Sequence, residues 1–132
     1  MDIKKVMFPE RVNATGKLTF MESDKDVPFQ IKRVYYVYDV TKGERRGFHA
    51  HRTLDQYLIC INGECKVLLD NGKEKCDVLL NHPSQGLYVG PGVWHEMFDF
   101  SEGAILLVFA SDYYDETDYI RSYEEFERLY KT

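Results

Sequence analysis

The chain of 132 residues is long enough to bury the core of one domain and too short for two. It carries 22 acidic and 17 basic residues, a formal charge of −5, and no basic run longer than two residues, so nucleic acid and anionic membranes are poor partners. We find neither a secretory apolar stretch nor the roughly 20 apolar residues of a membrane span, which predicts a cytoplasmic protein.

Apolar runs alternate with turn signals along the whole chain. Residues 29–38, 57–61 and 105–109 are rich in β-branched and aromatic side chains, which is typical of strands. Two of the turns contain Asn-Gly, a strong signal for a tight hairpin. Many short strands predict a sandwich or barrel, in one domain over residues 1–132. The turn signals are Asp24-Lys25-Asp26, Lys42-Gly43-Glu44, Asn62-Gly63, Asp70-Asn71-Gly72, His82-Pro83 and Gly90-Pro91-Gly92.

Only the C-terminal end has a helical pattern. Ser122 with Glu125 three residues later fits a capping box, which predicts that a short helix begins there. The apolar residues that recur every three or four positions are Ile120, Tyr123, Phe126 and Tyr130.

The three cysteines are odd in number and form no C-x-x-C pair. This pattern indicates neither a disulfide framework nor a thiolate zinc site. We expect buried free thiols, because cysteine is among the most often buried residue types. The three are Cys60, Cys65 and Cys76.

The segment His49-Ala50-His51 is the most informative motif. In a strand, side chains alternate between faces, so both imidazoles point to the same side. The spacing around this pair resembles the two-part signature of a cupin barrel and therefore implies an all-β jelly-roll fold with a short C-terminal helix. That spacing runs through Gly43, His49, His51, Gln56 and Gly63, and then through Gly86, Pro91, Gly92, His95 and Asp99.

In metal-binding cupins the three histidine positions, here His49, His51 and His95, bind a metal ion together with a glutamate. This chain has Gln56 at the glutamate position, and a neutral amide attracts a divalent cation less than a carboxylate does. A metal site is thus the weaker interpretation. A purely structural polar core is weaker still, because three buried imidazoles without partners are costly.

The predicted strand before the motif brings further polar groups to the same cavity. Counting by twos, Phe29, Ile31, Arg33, Tyr35 and Val37 share one face. Imidazole titrates near neutral pH and removes moderately acidic protons, a phenol donates to an oxygen that gains charge, and a guanidinium holds an anionic or carbonyl group. The alternatives are an ordinary surface arginine and a tyrosine that only packs in the core.

Five blocks over nearly the whole chain resemble the dTDP-4-oxo-6-deoxy-glucose 3,4-ketoisomerases, a family of cupin sugar isomerases. The resemblance implies an enzyme without metal or other cofactor that shifts the ketone of dTDP-4-keto-6-deoxy-D-glucose from C4 to C3 through an enediol-like intermediate, for the 3-amino sugars of bacterial surface glycans. The blocks are residues 28–36 (PFQIKRVYY), 46–51 (RGFHAH), 86–91 (GLYVGP), 93–97 (VWHEM) and 110–121 (ASDYYDETDYIR).

The resemblance also implies roles for individual residues. His49 is expected to be the base at C3, with Tyr35 and His51 handling the sugar oxygens and the returning proton, although the sequence leaves open which histidine does which step. Arg33 and Arg46, with Arg121 as a weaker candidate, are expected to bind the diphosphate, because charge-assisted contacts outweigh the weak field of an acidic chain. An aromatic side chain is expected to stack on the thymine.

Two further positions concern the product and the substrate pocket. Galacto-forming members resemble this chain in having histidine at His95, where gluco-forming members tend to have arginine. The residue before Gly16 tends to be arginine in the first branch and tyrosine in the second, and Thr15 matches neither. The expected product is dTDP-3-keto-6-deoxy-D-galactose, with the gluco-configured product as the alternative.

Other functions are compatible with such a pocket. They are a sugar-nucleotide 3,5-epimerase that uses a similar histidine base, a metal-dependent dioxygenase, and a cupin that binds a sugar nucleotide without turning it over. The resemblance further implies a homodimer that shares strands, which would bury edges that otherwise pair promiscuously.

Overall fold

The computed structural model describes residues 1–131, which form twelve β-strands and one α-helix. No helix in this range is long and apolar enough to cross a membrane. The elements are β1 Lys5–Met7, β2 Glu10–Asn13, β3 Gly16–Thr19, β4 Arg33–Val37, β5 Arg46–His51, β6 Gln56–Asn62, β7 Cys65–Asp70, β8 Lys75–Leu80, β9 Gln85–Val89, β10 Trp94–Phe98, β11 Ile105–Ala110, β12 Tyr119–Ile120 and α1 Tyr123–Tyr130.

Two five-stranded antiparallel sheets make up the sandwich. The first has the order β1-β9-β6-β11-β4 and the second the order β12-β5-β10-β7-β8. Strands β2 and β3 pair with each other in a separate hairpin. The all-β jelly-roll expectation, with a short C-terminal helix, is confirmed.

The main core lies between the two sheets. Strand β6 sends Leu58 and Cys60 inward, and β7, β10 and β11 add apolar side chains from both sheets. Because successive side chains of a strand alternate, Tyr57 and Ile59 lie on the outer face of the first sheet, where they pack against Phe8. The inner core includes Leu58, Cys60, Cys65, Val67, Leu69, Val78, Leu80, Leu87, Val89, Met97, Leu106 and Val108.

Helix α1 covers the outer face of the second sheet. Phe126 is fully buried there with Ala50, Trp94 and Ile120. Ala50 separates the two histidines of the motif, so a side chain facing the helix places its neighbours on the opposite side of the sheet. The helix therefore supports the histidine-bearing strands from behind.

The helix starts directly after Ser122, as the sequence predicts, but two details of the pattern differ. Ile120 is not helical but lies in β12, paired with Ala50, and the helix begins at Tyr123. Ser122 caps it by accepting a hydrogen bond from the Glu125 N–H, whereas the Glu125 carboxylate accepts from Arg52 Nη2 at 2.9 Å. In a capping box the Glu125 carboxylate would accept from the Ser122 N–H, but here it binds Arg52.

Two further predictions about the strands are corrected. The hairpin at Asp70-Asn71-Gly72 joins the paired strands β7 and β8, but Asn62-Gly63 joins β6 and β7, which belong to different sheets. The predicted strand over 29–38 is shorter, since β4 begins at Arg33 and the residues before it pack on the outer face of the first sheet. Burial still alternates along 29–37, which is why the pattern appeared continuous.

Candidate active site

Three histidines meet at one end of the space between the sheets. His49 and His51 come from β5 and His95 from β10, in direct register with His49. All three are buried, and the ring centroid of His49 lies 4.5 Å from that of His95 and 4.9 Å from that of His51. The structure therefore places the two histidines of the motif on one face, as the alternation of strand side chains predicts.

A β-bulge in β5 orients His49. Gly47 pairs with Glu96 and His49 pairs with His95, which leaves Phe48 as an extra residue with a positive φ of 58°. The bulge turns the Gly47 carbonyl back toward the ring, where it accepts a hydrogen bond from His49 Nδ1 at 3.0 Å. A carbonyl only accepts, so Nδ1 carries the proton and the lone pair of Nε2 points into the cavity.

Gly47 itself has to be glycine for this bulge. Its φ is +96°, and a Cβ there would stand 2.9 Å from the carbonyl oxygen of His95. The backbone of β5 therefore approaches β10 more closely than a side chain would allow. This close approach explains a glycine in the middle of the motif-bearing strand.

The other two imidazoles are anchored in the same way through Nδ1. His95 Nδ1 lies 3.1 Å from the carbonyl oxygen of Val93, and His51 Nδ1 lies 3.1 Å from Oδ2 of Asp118. Asp118 precedes Tyr119, which pairs with His51 across β5 and β12. Each ring is thus held by one nitrogen, and this leaves the second nitrogen for a ligand.

Burial keeps these imidazoles neutral. Desolvation, together with the neighbouring His49, lowers the pKa of His51 to about 4, even though Asp118 acts in the opposite direction. The same cause lowers the pKa of fully buried His95 to about 3, and desolvation also lowers the pKa of His49. At neutral pH the site therefore holds neutral imidazoles, whose free Nε2 can accept a proton.

Tyr35 and Gln56 form the opposite wall. The Tyr35 hydroxyl donates to Gln56 Oε1 at 2.7 Å. Desolvation raises the pKa of Tyr35, so the phenol stays protonated and remains a hydrogen-bond donor. Arg33, two residues earlier on β4, holds its guanidinium carbon 5.3 Å from the centroid of the Tyr35 ring.

A cavity of about 280 Å³ opens over Arg33, Tyr35 and His49. Tyr119 and Arg33 also line a second cavity of about 270 Å³, which reaches His51. The Arg121 guanidinium stacks on Tyr119, 4.2 Å from the ring centroid, and is paired with Glu116. The predicted site residues that line the first cavity are Arg33, Tyr35, Arg46, His49 and Arg121.

Thr15 does not join this site in the single chain. It lies in the exposed turn between β2 and β3, where its N–H and hydroxyl both donate to Asn13 Oδ1. Its hairpin pairs with neither large sheet. Within one chain Thr15 therefore lies away from the histidines, and its place at the substrate pocket stays a prediction.

The sequence interpretation gave no role to Asp118 or Tyr119. The Tyr119 ring covers both motif histidines, with centroids 4.4 Å from His51 and 4.9 Å from His49. Both residues lie inside the block 110–121, the most specific of the matching segments. That block was the available signal, but only the pairing of β12 with β5 shows which of its side chains face the histidines.

The three histidines also form a group that could hold a metal ion. Their ligating atoms all lie within 4.8 Å of one another. At the fourth position, Gln56 Oε1 already accepts the Tyr35 hydroxyl, so a metal ion would have to compete for that oxygen. The donor set therefore fits a three-histidine site and lacks an anionic ligand.

Four buried side-chain nitrogens in residues 1–131 have no hydrogen-bond partner, and all four belong to this site. They are Arg33 Nε, His49 Nε2, His51 Nε2 and Gln56 Nε2. A buried polar atom without a partner costs on the order of 1 to 3 kcal/mol. Such a concentration indicates a place built to bind a polar ligand.

Comparison with known proteins gives a consistent result over almost the whole chain. The family model described as FdtA: WxcM-like, C-terminal, matches residues 1–131. A TDP-4-oxo-6-deoxy-alpha-D-glucose-3,4-oxoisomerase of Aneurinibacillus thermoaerophilus is 51% identical over 128 residues, which cover 97% of this chain and 92% of that protein.

Two solved structures show the same similarity in three dimensions. A histidine-to-asparagine mutant of the 3,4-ketoisomerase QdtA from Thermoanaerobacterium thermosaccharolyticum, in complex with TDP-4-keto-6-deoxyglucose, superposes with a TM-score of 0.95 at 48% identity, covering 97% of this chain and 93% of that one. The WlaRB TDP-quinovose 3,4-ketoisomerase of Campylobacter jejuni gives a TM-score of 0.91 at 46% identity, covering 96% and 98%.

Proposed function

Because the chain belongs to the FdtA (WxcM-like, C-terminal) family, we propose that it moves the ketone of dTDP-4-keto-6-deoxy-D-glucose from C4 to C3. The observation that carries this proposal is the cluster of buried, partnerless nitrogens at His49, His51 and Gln56, beside a protonated Tyr35. These groups match a substrate with adjacent carbonyl and hydroxyl oxygens and one acidic carbon-bound proton.

The reaction is a proton shift that balances without an oxidant. Nε2 of His49 takes the proton from C3, whose acidity comes from the adjacent C4 ketone, and the C–H electron pair becomes the C3=C4 double bond of an enediol-like intermediate. The C4 oxygen gains a proton from Tyr35, and the C3 hydroxyl loses one to His51. Of the two protons then held by His49 and His51, one goes to C4 and the other restores the Tyr35 hydroxyl. General base and acid catalysis of this kind typically contributes 10²–10⁴-fold.

In this proposal Tyr35 and His51 transfer protons to and from the C3 and C4 oxygens of the sugar. The raised pKa of Tyr35 keeps its hydroxyl protonated, and on substrate binding its one hydrogen turns from Gln56 Oε1 to the sugar oxygen that gains charge. The free Nε2 of His51 accepts the proton that the other oxygen loses. His49 is assigned to carbon because it lines the cavity that Tyr35 and the three arginines also line.

Arg33, Arg46 and Arg121 are proposed to bind the diphosphate of the substrate. All three line the first cavity, and Arg33 Nε is buried without a partner. In a chain with a net charge of −5, such local guanidinium groups supply the attraction for an anion. Tyr119, stacked between Arg121 and the histidines, forms the adjoining wall.

The proposed product is the galacto-configured 3-keto sugar. His95 lies at the position where galacto-forming relatives have histidine, and its ring adjoins that of His49. The burial that lowers its pKa to about 3 keeps it neutral, so at neutral pH it is not a cationic donor like the arginine of gluco-forming relatives. The gluco-configured product is the alternative, because Thr15 fits neither branch.

We further propose a homodimer, in which a second copy uses the β2–β3 hairpin. Within residues 1–131 this hairpin pairs only with itself, and it exposes Val12 and Leu18 by 64% and 57%. A partner chain would cover such apolar side chains and bring Thr15 near a site. Light scattering after size-exclusion chromatography tests this, and a monomer at catalytic concentrations would contradict it.

The decisive experiment mixes the protein with dTDP-4-keto-6-deoxyglucose and follows the sugar protons by NMR, with and without a chelator. We expect the 3-keto sugar to appear at equal rates in both samples, with the C4 configuration readable from the same spectrum. Solvent deuterium at C5 would instead support a 3,5-epimerase. Activity only after addition of ferrous iron would support a metal enzyme, and binding without turnover a sensor.

A further inference from the structure

The two motif histidines are anchored by chemically different groups. His49 Nδ1 donates to the main-chain carbonyl of Gly47, whereas His51 Nδ1 donates to the carboxylate of Asp118 at 3.1 Å. A carbonyl and a carboxylate are both pure acceptors. Each therefore selects the tautomer with the proton on Nδ1, but only the second can be changed by one substitution.

Asp118 is itself held firmly. Its Oδ1 accepts from both the N–H and the hydroxyl of Thr53, each at 2.8 Å, and its carbonyl accepts from the N–H of Arg52 at 2.9 Å. These contacts leave Oδ2 directed at His51. Burial would raise the pKa of Asp118, but the hydrogen bonds from Thr53 and the nearby His51 outweigh it and lower that pKa, so the group stays an acceptor.

We infer that Asp118 is a positioning residue that holds His51 as the Nδ1–H tautomer and thereby presents the Nε2 lone pair to a sugar oxygen. The inference rests on the proposed function for its chemical meaning, since His51 accepts the hydroxyl proton there. Oδ2 fixes both the rotation of the ring and the location of its proton. Without this anchor, Nε2 carries a hydrogen for part of the time and then cannot take another proton.

The substitution Asp118→Asn gives a sharp test because Thr53 determines how the new amide is oriented. The two Thr53 donors require an acceptor, so the amide oxygen takes the place of Oδ1. The amide NH₂ then faces His51 Nδ1, which must become an acceptor. The variant is thereby driven to the Nε2–H tautomer, the wrong one for accepting a proton from the substrate.

Two measurements follow from this. In ¹⁵N-histidine-labelled protein, long-range ¹H–¹⁵N NMR should show protonated Nδ1 at His51 in the wild type and protonated Nε2 in Asp118→Asn. The same variant should lose at least about 10²-fold in kcat with KM changed less than about threefold. An unchanged tautomer, or unchanged kcat in a variant whose tautomer has switched, would overturn the inference.

Asp115→Asn supplies a matched control from the same turn. Asp115 Oδ1 also accepts from the N–H and hydroxyl of a threonine, Thr117, but its carboxylate contacts none of the three clustered histidines. This variant should keep the wild-type tautomer and kcat. An equal loss of activity in both variants would show that Asp118 acts only through the structure of the turn.

The two proposals fail in distinguishable ways. If the wild type does not convert the keto sugar, the proposed function is wrong, and the tautomers still report whether Asp118 fixes the proton of His51. If the wild type is active and Asp118→Asn loses activity without a tautomer switch, only the positioning inference is wrong. Thermal unfolding of both variants identifies any loss that comes from instability.

Discussion

The two ends of the space between the sheets are equally buried but built from opposite kinds of side chain. Strand β6 shows the contrast within one element: its inward residues run from Gln56 through Leu58 to Cys60, from the polar to the apolar end. At the apolar end, side chains such as Leu80 and Leu106 are fully buried. At the other end stand imidazoles whose second nitrogens have no partner.

The contrast shows that the apolar end stabilises the fold and that the polar end destabilises it. Burying a leucine side chain contributes roughly 1.5 to 3 kcal/mol, whereas each unpartnered buried polar atom costs a similar amount. The apolar end therefore stabilises the arrangement that the polar end needs. Substitutions at the polar end should consequently lower activity more than stability, and those at the apolar end should lower stability and leave activity unchanged.

The largest effect is expected from His49→Asn at the polar end. Removing the proposed base should lower kcat on the order of 10³-fold, since no other group has its lone pair at the same position. The thermal midpoint should change little, because the partnerless Nε2 disappears but the hydrogen bond from Nδ1 to the Gly47 carbonyl is lost with it. Steady-state kinetics with calorimetry check both, and full activity would remove His49 from its role.

Leu80→Ala probes the apolar end. Leu80 is fully buried in β8, so its truncation should lower the free energy of unfolding by about 3 kcal/mol through lost burial and a residual cavity. The kcat of the folded fraction should not change. Urea titration and kinetics at low temperature measure the two quantities, and a fall in kcat would mean that the ends are coupled.

Tyr35→Phe removes one hydroxyl from the polar end while keeping the ring. We expect kcat to fall on the order of 10²-fold through loss of the proposed donor, with a smaller change in KM. Gln56 Oε1 also loses its partner, so stability should fall by about 1 kcal/mol. Tyr36→Phe, at an exposed neighbour on β4, is the control and should leave both quantities unchanged.

The smallest effect concerns pH. The pKa of His51 is lowered to about 4 in the folded state, so between this value and its ordinary 6.5 the unfolded chain binds more protons. Above pH 6.5 the burial of His51 therefore costs little free energy of unfolding, and this free energy falls as the pH drops toward 4. Between about pH 7 and pH 5 this one residue should account for about 2 kcal/mol.

Urea titrations at the two pH values, in wild type and in His51→Asn, isolate this contribution. The fall in the free energy of unfolding should be smaller in the variant, whereas His82→Gln, at an exposed histidine, should leave it as in the wild type. An equal fall in wild type and His51→Asn would show that the burial of His51 does not cause the loss of stability at low pH.

Local patterns predicted much of the fold and part of the site. Strand periodicity put His49 and His51 on one face, and it placed Arg33 and Tyr35 toward the same cavity. Periodicity does not say which sheet a strand joins, so Asn62-Gly63 was mistaken for a hairpin. In general, the sequence predicts which side chains of one strand share a face, but it does not predict which strands pair with each other.

The remaining parts of the site depend on non-local contacts. Asp118, 67 positions after His51, reaches it because the two-residue strand that follows Asp118 pairs with β5. The bulge at Phe48 depends on how β5 registers against β10, which no local pattern specifies. Thr15 was given a place in the pocket by resemblance, yet the fold of one chain leaves it on a separate hairpin.

The bulge at Gly47 and Phe48 also determines which mutations would disturb the orientation of His49. Because the acceptor for His49 is a main-chain oxygen, no substitution deletes the atom itself, but any side chain at position 47 would disturb the bulge that directs it at the ring. Removing Phe48 altogether would regularise the ladder and withdraw that oxygen while leaving every neighbouring side chain in place. The proposed carbon base thus depends on the backbone geometry of Gly47 and Phe48, whereas its neighbour His51 depends on a single carboxylate.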